Sequence, residues 1–103
     1  MNQSTRYRSF TEFYPFYLDE HSNPICRRLH FIGTTLALIF LIAAIATQLW
    51  WLIAVGIAQG YMFAWSGHFF FERNKPAAFQ YVWFSLLSDW CMWWQILTGK
   101  IPL

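Results

Sequence analysis

The sequence predicts an all-α fold: an integral membrane helical bundle of about three transmembrane helices, with an interfacial N-terminal helix. Three observations predict it. Only 12% of the 103 residues are charged, where an ordinary soluble domain carries about 25%. Apolar residues reach 57% and aromatics 22%, more than a soluble core of this size can hide. These residues also fall into long runs with polar punctuation between them. The same composition excludes a disordered chain. Two cysteines, Cys26 and Cys91, exclude a disulfide-stapled secreted fold. A net charge of +2 neutralises few phosphates, so no nucleic-acid partner is expected. The whole of 1–103 reads as a single membrane domain, with 1–28 interfacial and 29–97 transmembrane.

The elements follow in order. Ser9-Phe10-Thr11-Glu12 has the form of a capping box. It opens a short helix between Phe10 and Glu20, which Pro15 is expected to interrupt. Phe10, Phe13, Tyr14, Phe16 and Tyr17 make that helix aromatic, as suits one lying on a membrane surface. It is not a signal peptide: acidic and aromatic residues replace the apolar stretch, and no small-residue cleavage site follows. Asn23-Pro24 starts the first span, with Asn23 as N-cap and Pro24 at the first helical position. The apolar run from Leu29 to Thr47 is long enough to cross a bilayer, which takes roughly 20 residues. A tight turn is expected at Thr47-Gln48-Leu49. The second span runs from Trp50 to Phe71 and stops at Glu72–Pro76, with Asn74 as C-cap. A third helix fits Pro76 to Leu97, closed by Gly99 and containing Asp89.

Packing and depth can be read from spacing. Gly33, Ala37 and Ala44 form a small-residue stripe, and Gly56, Gly60 and Gly67 form another, so the first two spans should approach closely. Trp50, Trp51, Trp93 and Trp94 fall near one interface, as an aromatic belt does. His30 lies about 18 residues before the turn and His68 about 20 after it, so they return to a similar depth. His21 precedes the first span on the same side, so all three histidines of the chain converge on one face. Arg6, Arg8, Arg27, Arg28, Arg73 and Lys75 share that face, and only Lys100 lies opposite. The positive-inside rule makes the histidine face cytoplasmic. This gives a multi-pass protein of the bacterial inner membrane, or of the endoplasmic reticulum in a eukaryote. Asp89, counted from Pro76, should lie roughly 10 Å deeper than the histidines as a buried polar anchor or a substrate contact.

One constellation carries chemistry. His68 and Glu72 are i and i+4 and share a helix face. Two or three imidazoles with one carboxylate form a ligand set for non-haem Fe(II) that leaves positions open for substrate and dioxygen. Imidazole also suits zinc, copper and nickel, so His21, His30, His68 and Glu72 do not name the metal. The cysteines are not expected among the ligands: Cys26 can approach, but Cys91 lies deeper. A plainer reading stands beside this one. The histidines bridge helices by hydrogen bonds in a non-enzymatic membrane protein, an assembly factor or subunit. A transporter has little room in three spans without assembly into a homo-oligomer.

Three segments resemble a known family. They are FYLDEHSNPICRRLHFIGTTL at Phe16–Leu36, WSGHFFFERNKPAAF at Trp65–Phe79 and WFSLLSDWCMW at Trp83–Trp93. Together they cover nearly half the chain, in order. They are similar to the small membrane proteins related to the fungal endoplasmic-reticulum 2-hydroxy fatty acid alpha-dioxygenase, named for converting phytosphingosine to odd-numbered fatty acids. Relatives often carry Asn-Arg before the second histidine, where this chain has Cys26-Arg27. The resemblance implies an Fe(II)-dependent enzyme that uses dioxygen to shorten a 2-hydroxy fatty acid by one carbon. On this reading His21, His30 and His68 bind the Fe(II), with Glu72 as a carboxylate ligand or as a partner that orients an imidazole. Arg27, Arg28, Arg73 and Lys75 lie slightly above the site and are placed to attract the anionic head group, and Asp89 is the substrate contact if it is not a buried anchor. A groove beside the glycine stripe, rich in Phe69, Phe70, Phe71 and Phe79, is the expected acyl route. Membrane lipid, the lipid substrate and dioxygen are the expected partners.

Overall fold

The computed structural model describes residues 7–75 and 80–102. Every regular element among them is helical: α1 (Phe10–Asp19), α2 (Pro24–Thr47), α3 (Trp51–Ser66), a π-helix (Gly67–Glu72) and α4 (Val82–Leu97). The all-α expectation holds. Arg6, Pro76 and Phe79 lie outside the described residues.

The Ser9 hydroxyl caps α1 by accepting from the Glu12 N–H at 3.2 Å, and the Glu12 carboxylate reaches back to the Arg8 N–H. Pro15 does not interrupt α1 as expected; the helix passes through it to Asp19. Pro15 and Thr11, whose carbonyl loses its i+4 donor, are both exposed, so the orphaned acceptor faces outward. Asn23 caps α2 by accepting from the Ile25 N–H, and Pro24 takes the first helical position. α2 ends where Gln48 turns left-handed at φ 59°. That residue makes the predicted turn into α3.

Among the described residues, α2 is the helix that by itself is long and apolar enough to cross a membrane. α3 is shorter but winds without a break into the π-helix as far as Glu72. The outer surface of the bundle is apolar: Ile39, Ile42, Ile45, Met62, Phe70 and Trp83 are each more than half exposed.

α2 and α3 form an antiparallel hairpin along the small-residue stripe. A Cβ on Gly33 would stand 3.1 Å from the Gly60 carbonyl oxygen and 3.1 Å from Phe63 Cβ, so the backbones meet there. The Gln59 amide donates to the Gly33 carbonyl at 2.9 Å, adding a polar tie across the pair. α1 packs on α4 through its aromatic face. Phe13 and Tyr17 are buried with Tyr81, Met92 and Ile96. The aromatics read as membrane-surface anchors therefore include the protein core of this pair.

Two helix boundaries differ from expectation. Arg73, not Asn74, is the left-handed cap of the π-helix, at φ 58°. The last helix starts at Val82 with Tyr81 as its N-cap, later than Pro76. Trp93 leaves the expected aromatic belt: its indole N–H donates to the Thr35 hydroxyl at 2.9 Å and ties α4 to α2.

Candidate metal centre

His21, Cys26, His30 and His68 form one buried group whose ligand atoms all lie within 4.8 Å of one another. Each comes from a different local structure. His21 sits in the turn that follows α1. Cys26 and His30 are i and i+4 on the first turns of α2, hence on one face. His68 is carried by the π-helix, a winding often found at functional sites. The three rings are packed edge-on, with centroids 4.3 Å apart for His21 and His30, 4.5 Å for His21 and His68, and 5.1 Å for His30 and His68.

Hydrogen bonds fix which nitrogens point into the group. His21 Nδ1 lies 2.6 Å from the Tyr17 carbonyl, which can only accept, so Nδ1 carries the proton and donates. The Tyr17 ring stacks on the imidazole at 4.0 Å. His68 Nδ1 lies 2.7 Å from Asn74 Oδ1, and the Asn74 amide nitrogen donates to the Glu20 carbonyl at 3.3 Å. That second bond sets the amide orientation, so Asn74 accepts from His68 Nδ1–H. Both neutral rings thus present Nε2 lone pairs inward. His21 Nε2 and His30 Nε2 are 3.1 Å apart. Two nitrogens on adjacent corners of a coordination sphere, each about 2.1 Å from a metal, are separated by about that distance. Burial, and then the neighbouring His68, push the His21 pKa down to about 3, so the ring is neutral and able to ligate near neutral pH.

The surroundings hold this geometry. The Arg27 guanidinium donates to the His21 carbonyl at 3.2 Å and the Ser22 carbonyl at 2.9 Å, fastening the turn to α2. Gly67 makes room for the thiol: a Cβ there would meet Cys26 Sγ at 2.9 Å. Tyr17 donates its hydroxyl to Asp89, binding α1 to α4 beside the rings.

Several expected site residues fall elsewhere. Glu72 does not join the histidines. Its carboxylate accepts from the Asn23 backbone N–H and, at 3.4 Å, from the Ser22 hydroxyl, so it clasps the π-helix to the start of α2. Cys26, left out of the expected ligand set, is inside it. Asp89 is not 10 Å deeper: its Oδ1 lies 3.8 Å from His30 Nδ1. Counted from Val82, Asp89 is seven residues into its helix and His30 is six residues past Pro24, so the two are level. Arg73 is exposed at the cap of the π-helix, and Arg28 is exposed on α2. Phe69, Phe70 and Phe71 are exposed, at 48%, 73% and 42%. Asn74, the partner that orients His68, was read only as a helix cap; its spacing of six from His68 gives no face-sharing signal in an α-helix.

Residues 7–101 match the family model of the 2-hydroxy-palmitic acid dioxygenase Mpo1-like proteins. The chain belongs to this family. The resemblance carried by Phe16–Leu36, Trp65–Phe79 and Trp83–Trp93 is therefore borne out. No curated protein and no solved structure matches the chain. For this Mpo1-like chain the family name suggests a dioxygenase-related role, and the buried donor set fits a first-row divalent metal.

Proposed function

We propose that this Mpo1-like protein is an Fe(II)-dependent membrane dioxygenase that shortens a 2-hydroxy fatty acid by one carbon. The carrying observation is the pair of tautomer-locked rings, His21 and His68, whose Nε2 lone pairs converge with His30 in a buried group. His21 and His68 both aim lone pairs inward, and His30 can donate its Nε2–H to His21 alone, so an inward lone pair remains for a cation to satisfy. A bound divalent metal does so, and iron supplies the capacity to activate dioxygen.

The chain's own residues supply the rest. His21, His30 and His68 hold the metal, and Asn74 and the Tyr17 carbonyl orient two of the rings. Arg28 and Arg73 stand at the same end and attract the anionic head group. Arg27 serves the architecture of the His21 turn. The overall balance is one 2-hydroxy acid and one dioxygen giving one shorter acid, one carbon dioxide and one water. The C1–C2 bond breaks, and the hydroxyl-bearing carbon becomes the new carboxyl carbon. α3 with the π-helix, and α4, complete a multi-pass bundle with this end toward the cytoplasm.

Cys26 favours a second reading. Three histidines and one thiolate are four donors, the number that closes a structural zinc site. One preparation separates the two. Detergent-purified wild type is expected to contain iron and, with a 2-hydroxy acid, Fe(II) and air, to release the acid shorter by one carbon. His68→Ala loses both metal and product. Stoichiometric zinc with no product supports the structural site. Metal-free protein that stays folded supports helix-bridging histidines.

A further inference from the structure

α2, α3 and α4 enclose a cleft of about 240 Å³. Its walls are largely apolar, built from Ala37, Ile57, Tyr61, Ala64, Leu86 and Trp90. Gly33, Gly56 and Gly60 also line it, so the small-residue stripe that lets the helices touch leaves a channel beside their contact line. Its polar end is formed by His30 and Asp89. From His30 to Ala37 the cleft follows α2 for about 10 Å. This is a slot for an amphiphile, with a polar end beside the metal set and an apolar body running away from it.

Asp89 gives that end a chemical preference. Its carboxylate accepts from the Tyr17 hydroxyl and lies 3.8 Å from His30 Nδ1, beyond hydrogen-bond reach of that nitrogen. A carboxyl group has more acceptor sites than the one it gives to Tyr17, so capacity remains for a donor arriving in the cleft. A bound acid that turns its own carboxylate toward the histidines places the hydroxyl of the adjoining carbon at Asp89.

We propose that the cleft between α2, α3 and α4 seats the acyl chain of the 2-hydroxy acid. In the same arrangement Asp89 accepts a hydrogen bond from the 2-hydroxyl and so distinguishes the substrate from a plain fatty acid. The identity of the acid rests on the oxygenase reading; the existence of an amphiphile site does not. Ala37 and Ile57, at the end away from the histidines, then limit how the chain is housed.

The test uses metal-loaded, detergent-purified full-length protein and a 2-hydroxypalmitate carrying a photoreactive diazirine near the middle of its chain, the part that reaches the far end of the cleft. Label is expected on the segments around Ala37 and Ile57. Unlabelled 2-hydroxypalmitate should displace the probe about tenfold better than palmitate, as expected when a buried acceptor loses its hydrogen-bond donor. Asp89→Asn keeps the side-chain size and should cut that preference to about twofold or less, because the amide has one accepting oxygen and the Tyr17 hydroxyl already donates to that position. Ala37→Phe should move label off Ile57 with metal content unchanged. Label confined to outward-facing Ile39, Ile42 and Ile45 would overturn the cleft, and an undiminished preference in Asp89→Asn would overturn the role of Asp89. Turnover in the same samples separates the two readings. Cleft labelling without turnover fails the oxygenase alone, and turnover with label outside the cleft fails this proposal alone.

Discussion

Between α2 and α3 the helices touch through backbone, whereas α1 and α4 touch through the largest side chains available. The first pair meets at Gly33 and Gly60, and at Gly56 against Ala37 and Phe40. The second interlocks Phe13 and Tyr17 with Tyr81, Met92 and Ile96. The candidate metal centre draws on both pairs: Cys26, His30 and His68 from the hairpin, and His21 from the turn after α1. A hairpin locked by close approach gives a rigid wall. An aromatic joint brings the remaining ligand to it. The centre is therefore sensitive to different substitutions on its two sides.

The largest expected effect is at the aromatic joint. The Phe13 ring meets Tyr7, Phe16, Tyr17, Tyr81 and Phe84. Phe13→Ala should cost about 3–5 kcal/mol as the cavity and the lost contacts add. Thermal unfolding of the detergent-purified protein measures the cost. Hydrogen exchange should show α1 opening while α2 and α3 stay protected. Equal loosening of all the helices would mean that the two pairs are one cooperative unit.

On the hairpin side, the matching experiment adds atoms. Gly67→Val places a Cβ 2.9 Å from Cys26 Sγ and 3.2 Å from Cys26 Cα, so the backbones must separate. The overpacking should cost about 1–3 kcal/mol and spread Cys26 from His68. Bound metal per chain should fall while α1 keeps its protection. Unchanged metal content would show that the thiol is dispensable to the site.

The hairpin was legible in the sequence because its cues are local: Asn23-Pro24, the polar break at Gln48, and glycines at helical spacing. The meeting of the histidines was legible too, because depth follows from counting along straight helices. The other elements depend on geometry with no local signature. Nothing in GHFFFE announces a π-helix. Helical spacing puts Glu72 near the histidines as a ligand or an orienting partner, but the start of α2 offers its carboxylate the Asn23 N–H and the Ser22 hydroxyl, a contact 49 residues away in sequence that no local pattern shows. The late start of α4 at Val82 shifted the apparent depth of Asp89 by almost two turns. Cys26 did carry a signal, its i and i+4 relation to His30. Taking the two cysteines together hides it, because Cys91 lies deeper than the histidines and Cys26 does not. The aromatics of α1 were ambiguous on physical grounds, since a ring suits a membrane surface and a protein core alike.

A smaller effect tests how the two sides are joined at the histidines. Asn74 accepts from His68 and donates to the Glu20 carbonyl, so it spans from the π-helix to the end of α1. Asn74→Ala should weaken metal binding by about 10–100-fold, as loss of a ligand's orienting partner does. Asn74→Asp keeps an acceptor for His68 Nδ1–H and should restore most of the affinity. Competition with a chelator reads both. Equal affinity in Asn74→Ala would leave His68 oriented by packing alone.

The smallest effect lies away from the histidines, where α4 reaches the hairpin. Trp93 donates its indole N–H to the Thr35 hydroxyl at 2.9 Å, and its ring stacks with Phe31 at 6.3 Å between centroids. A single interhelical hydrogen bond of this kind contributes about 0.5–1.5 kcal/mol net, because the separated groups find other partners. Thr35→Val removes the acceptor and leaves the indole N–H half-buried without it. Trp93→Phe removes the donor, but the Thr35 hydroxyl can still turn to a carbonyl of its own helix. Thr35→Val should therefore cost more than its share of the bond, and the double substitution should cost less than the two single changes added together. A thermal-unfolding cycle over the four proteins measures this coupling. Strict additivity would mean that the Trp93–Thr35 contact adds nothing beyond ring packing, such as that of Trp93 on Phe31, to the hold of α4 on α2.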